Sequence, residues 1–114
     1  MRPLRDRLSD ILEASLKIEA RAAQGREKFF AEEDSQVWAL HHITIIGEAV
    51  RASLNELRDR APSVPWREII AMRNIIVHAY FGIDLKRVWA AITVDIPVVR
   101  RTVMRLIDEM DNTK

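Results

Sequence analysis

Cysteine is absent from this chain, and that absence removes disulfides, thiolate zinc sites and a cysteine nucleophile together. Histidine is scarce. His41, His42 and His78 are the only three, and none sits in a His-Glu-x-x-His or comparable ligand pattern, so neither a bound metal nor another cofactor is expected. An excess of one charge is lacking too: 18 basic residues stand against 17 acidic ones, for a net charge of +1. A general nucleic-acid coater carries a broad basic field, so any nucleic-acid binding here has to be local, with Arg73, Arg87, Arg100, Arg101 and Arg105 as candidates beside the simpler reading of a solvated helix face. No apolar run approaches the roughly 18 residues that span a bilayer. The start, Met1 to Arg7, leads into an amphipathic pattern rather than a signal-peptide core, which predicts a cytoplasmic protein. Strand signals, internal repeats and low-complexity tracts are missing as well.

What is present suits one helical domain over residues 1–114, with 48% apolar residues to build a single core. Leu4, Leu8, Ile11, Leu12, Ser15, Ile18 and Ala22 mark a first helix from about residue 3 to about 23 that closes near Gly25. Arg26 to Glu33 reads as a helical turn or linker whose Phe29 and Phe30 plug the end of the bundle. Asp34 or Ser35 can cap a second, central helix that ends near Ala61-Pro62. Inside it Gly47 costs about 1 kcal/mol relative to Ala, which points to a close approach by another helix. Pro62-Ser63-Val64-Pro65 is a loop, and Trp66 anchors the start of a third long helix. Asp84 can cap a short helix from Leu85 to about Ile92, with Val88 and Trp89 inward. Thr93 can cap a last helix carrying Ile96, Val99, Val103, Leu106, Ile107 and Met110. The expectation is an all-α, compact up-and-down bundle of four main helices plus short ones.

The chemistry-bearing stretch runs from Met72 to Asp84. Placed on a helical wheel with Arg73 at zero, Tyr80 falls about 20° to one side, and Val77, Asn74 and His78 at about 40°, 100° and 140° on the other. Ile69, Met72, Ile75, Ile76 and Ala79 form the opposite, core-facing arc. A solvated face is ordinarily filled with Lys, Glu, Gln and Arg. This one offers a fixed cation that can fork a phosphate, an amide, an imidazole that exchanges protons near neutral pH, and a phenol. Helix-end capping by Arg, Asn and His, with Tyr as a half-buried anchor, is the simpler alternative. Glu48, on a partly apolar strip next to Gly47, needs a partner: Arg73 or His78 across the bundle, or Arg51 on its own helix.

Arg73, four residues, His78, one residue, Tyr80 resembles the signature of the HepT-like toxins of the HEPN class. The resemblance extends over nearly the whole chain, through Arg7 to Ala14, Ile45-Ile46-Gly47-Glu48-Ala49, Pro65 to Ile70, the turn Tyr80 to Asp84, and Val88-Trp89. One departure is that His41, His42 and Thr44 stand where the family pattern has more basic and amide residues. The resemblance implies the toxin of a type VII-like toxin–antitoxin system: a homodimeric, metal-independent endoribonuclease. Arg73 and His78 would be catalytic at a dimer cleft, Asn74 and Tyr80 would position the substrate, and Glu48 would support them. It also implies a partner, a nucleotidyltransferase antitoxin that transfers AMP to Tyr80. The competing class is a non-catalytic nucleotide- or partner-binding helical module.

Overall fold

Buried Leu4, Leu8, Ile11, Ala14 and Ile18, three or four residues apart with charges between them, wind Leu4–Ala22 into the first helix, α1, of the computed structural model, which describes residues 2–113. Gly25, at φ 106°, makes the turn that follows, a conformation a side chain would strain. Residues Arg26–Ala31 form a true short helix, α2, rather than a linker. It buries Phe29 with its ring 5.1 Å from that of Trp89 and 5.2 Å from that of Phe30.

The second expected helix is divided. Helix α3 covers Glu33–Ala52, beginning ahead of the expected caps with Ser35 buried in its first turn, and α4 covers Leu54–Arg60. Between them Ser53, at φ −121° and ψ 17°, turns the chain. The bend serves packing: Leu57 becomes wholly buried, and the Ala61 carbonyl accepts the indole N–H of buried Trp66 at 2.8 Å. Trp66 opens α5, Trp66–His78, and a 3₁₀ turn of Tyr80–Gly82 follows.

Asp84 caps α6, Leu85–Ala90, accepting from the Lys86 N–H at 2.9 Å. Thr93 does not cap the last helix. The chain stays helical through a π-turn, Ala91–Asp95, into α7, Ile96–Asp111, and the Thr93 hydroxyl donates back to the Trp89 carbonyl at 2.9 Å. Pro97 accounts for the irregularity. It has no N–H for the Thr93 carbonyl and its ring crowds that oxygen. A wider turn, in which the Ile96 N–H reaches Ala91, absorbs both faults without a break.

Helices α1, α3, α5 and α7 are the four main elements of an all-α bundle, with α3 central: α1 packs on α3 and α7, and α5 on α3. Among the described residues there is no strand, and no helix is long and apolar enough to cross a membrane.

The α1–α3 contact leaves a buried imidazole unsatisfied. His42 is buried, edge-on to Trp38 at 4.6 Å and to His41 at 4.9 Å, and neither ring nitrogen has a hydrogen-bond partner. Burial lowers its pKa, His41 and Lys17 push it further down, and Glu13 opposes them. The folded chain therefore binds this proton less readily than the unfolded one. Stability is full above the unfolded value, about pH 6.5, and falls as the pH drops below it. Denaturation midpoints measured from about pH 7.5 to about pH 5 should decline more steeply for the wild type than for His42→Phe; equal slopes would remove His42 as the cause.

Candidate active site

The site begins with a missing side chain. Where α3 crosses α5, a Cβ on Gly47 would overlap the Cβ of Arg73 and stand 2.7 Å from its Cγ. Only glycine lets the two backbones come this close. The stem of Arg73 is thus packed against α3, and its side chain is 18% exposed. Glu48, the next residue along α3, forms an ion pair with Nη2 of Arg73. Of the partners open to Glu48 from the sequence, Arg73 is the one it meets. On the other side Nη1 donates to Oδ1 of Asn74 at 2.9 Å.

A guanidinium has five N–H donors. These two contacts occupy one each; the Nε–H is buried with no partner, and one N–H on each terminal nitrogen is left for a ligand. An arginine oriented by two neighbours with unspent donors is suited to an anion with several oxygens.

His78 is the last residue of α5 and is exposed. The wheel carried the helix too far. Ala79, at φ −139° and ψ 42°, leaves helical geometry, so Tyr80 is placed by the 3₁₀ turn and not by helical periodicity, and Ala79 is exposed instead of joining the core arc. Tyr80 is 43% exposed and stands edge-on to the wholly exposed Phe81, ring centres 5.4 Å apart. Arg73, Asn74 and Glu48 therefore form a contacting cluster. His78 and Tyr80 lie beyond it toward the open end of α5, and no side-chain hydrogen bond among the described residues joins them to it.

The other arginines do not gather there. Arg100 pairs with Glu19 and Arg105 with Glu109, while Arg87 lines a separate cleft with Glu68 and Asp95. In that cleft Asp95 has a pKa raised by burial and by the nearby Glu68. On α3, the Thr44 hydroxyl is spent on the Leu40 carbonyl at 2.8 Å. Sequence reasoning missed Gln36 and Phe81, which border a groove next to Tyr80. An aromatic residue directly after the motif tyrosine was the available signal for Phe81, and Gln36 offered none.

Gly47→Ala should lower stability even though alanine is the better helix former. Forcing α3 from α5 costs about 1–3 kcal/mol against about 1 kcal/mol of propensity gained, for a net loss of up to about 2 kcal/mol in chemical denaturation. A variant more stable than wild type would mean that the helices do not touch here.

Residues 11–106 match the family model described as ribonuclease HepT-like. A probable ribonuclease HepT of Thermococcus cleftensis is 35% identical over 97 residues, which cover 84% of this chain and 88% of that protein. A Methanocaldococcus jannaschii protein named as a gamma-glutamylcyclotransferase and inferred RNase is 33% identical over 108 residues, 94% of this chain and 49% of its own length. A second protein of that archaeon, named as an inferred RNase, is 43% identical over 61 residues, 54% of this chain and 56% of its own. The chain spans about half the length of these two M. jannaschii relatives. No significant match occurs among solved structures. The extent of the family match and the order of its motifs place this chain in the ribonuclease HepT-like family of the HEPN class.

Proposed function

We propose that this chain is the toxin of a type VII-like toxin–antitoxin system and cuts RNA without a metal ion, using Arg73 and His78. The observation that carries the reading is the oriented Arg73, with unspent donors, on the helix that ends in an exposed His78. RNA brings its own nucleophile, the 2′-OH. His78 takes the 2′ proton as that oxygen bonds to phosphorus. The bond from phosphorus to the 5′ oxygen breaks, and a second acid protonates the leaving oxygen. A 2′,3′-cyclic phosphate and a 5′-hydroxyl result. Arg73 binds the phosphate as charge builds on its oxygens, Asn74 and Tyr80 position it, and Glu48 supports Arg73.

One histidine performs one of the two proton transfers. In a two-fold dimer an isologous interface brings equivalent residues together near the axis, so a second His78 and Arg73 complete the cleft. Val77, 47% exposed between the polar motif residues, supplies an apolar contact for such an interface.

Tyr80 is exposed enough to be modified. A nucleotidyltransferase antitoxin would join its phenol oxygen to the α-phosphorus of ATP, with pyrophosphate leaving and the phenol proton passing to solvent. The added phosphodiester would then occupy the place of the RNA phosphate beside Arg73.

Purified unmodified chain should cleave RNA in EDTA, and Arg73→Ala and His78→Ala should each lose at least about 100-fold in rate while remaining folded. Cleavage that disappears on chelation, or persists in both variants, would overturn the assignment. AMPylated chain, identified by intact mass, should be inactive, and Tyr80→Phe should be refractory to that inactivation; inhibition of Tyr80→Phe by the same enzyme and ATP would remove Tyr80 as the target.

A further inference from the structure

A groove of 370 Å³ opens beside the motif, between the first turns of α3 and the Tyr80–Gly82 turn. Val37, Leu40, Ile83 and Leu85 make it largely apolar, and Tyr80 and Phe81 form one wall. Phe81 is wholly exposed, an unusual position for a large aromatic side chain, and it lines the groove.

The polar lining is one-sided. Gln36 spends its amide nitrogen on the carbonyls of Phe29 and Phe30, at 3.1 and 3.2 Å. Both N–H bonds are thereby used, and the amide is fixed with its oxygen left to accept. Glu33, the other polar side chain of the α3 wall, is also an acceptor, and no cationic side chain lines the groove among the described residues. The remaining hydroxyl is the phenol of Tyr80, which AMPylation would consume. A phosphate has nothing to bind here. A flat ring carrying an N–H donor does.

We infer that this groove is a subsite for an adenine base, stacked on Phe81 and donating its exocyclic amine to Gln36 and Glu33. Adenine is the ribonucleobase without a carbonyl oxygen. Uracil has no exocyclic amine and would turn a carbonyl toward walls that supply acceptors, at the cost of an unpaired polar group. The inference rests on the reading of Tyr80 as neighbour to the RNA cleft and target of AMP transfer. The adenine has two possible sources, the AMP on Tyr80 or a nucleotide of the bound RNA, and the same chemistry receives both.

The test is titration of the unmodified chain with adenosine and uridine, followed by NMR at the Gln36 side-chain amide and the Phe81 ring. Adenosine should shift both, and uridine should not. Phe81→Ala, which removes an exposed ring and leaves the core untouched, and Gln36→Leu should each weaken adenosine binding about tenfold. His78→Ala should bind adenosine as the wild type does. An equal response to adenosine and uridine, or undiminished binding by folded Phe81→Ala, overturns the subsite. Two further arms assign its source. Exclusion of free adenosine from AMPylated chain identifies the tyrosyl adenylate as occupant, and a cleavage preference for adenosine that Gln36→Leu abolishes identifies the RNA. Neither result appearing overturns the proposal. Adenosine binding without RNA cleavage would leave the subsite standing and remove the ribonuclease reading alone.

Discussion

The contact between Gly47 and Arg73 sets the geometry on which everything at the site depends. With no side chain at position 47, α3 and α5 meet closely enough for the Cβ and Cγ of Arg73 to lie on the α3 backbone. Packing of that stem leaves the guanidinium little room to wander. Glu48 and Asn74 then act on a head group whose position is already restricted. The ion pair itself adds little to stability, because Glu48 is 47% exposed and such pairs contribute about 0–1 kcal/mol. Its consequence is orientation.

The second constraint is where α5 stops. Ala79 leaves the helix directly after His78, and the 3₁₀ turn carries Tyr80 and Phe81 out over the surface. Arg73 is thus held in a packed interface while His78 and Tyr80 stand in the open within the next seven residues. A group that binds phosphate gains from rigidity, and one that exchanges protons or accepts a nucleotide gains from access. The end of one helix supplies both.

Much of this could be read from the residues alone, and the failures have specific causes. The α1 stripe, the Trp66 anchor, the Asp84 cap and the reason for Gly47 all follow from local patterns, and the structure has each of them. The divided second helix was illegible because Ser53 is an ordinary helix residue by propensity, and tertiary packing of Leu57 and Trp66 turns the chain there. Thr93 looked like a cap because threonine before Asp95 and Pro97 is a common helix start. The alternative, a π-turn that keeps the helix running, has no sequence signature. Tyr80 was misplaced on the wheel because periodicity cannot register a helix end that lacks a glycine or proline at the boundary. The orphaned nitrogens of His42 and the lone acceptor of Gln36 depend on what three helices bring together, which no single segment encodes.

The central claim is that an oriented, forked cation holds the phosphate, and Arg73→Lys tests it most directly. Lysine keeps the positive charge together with the Cβ and Cγ that pack on Gly47, and loses the planar array of donors. Measured as the RNA cleavage rate of folded protein, Arg73→Lys should be nearly as impaired as Arg73→Ala. A lysine variant within a few-fold of wild type would show that charge alone suffices and would contradict the account.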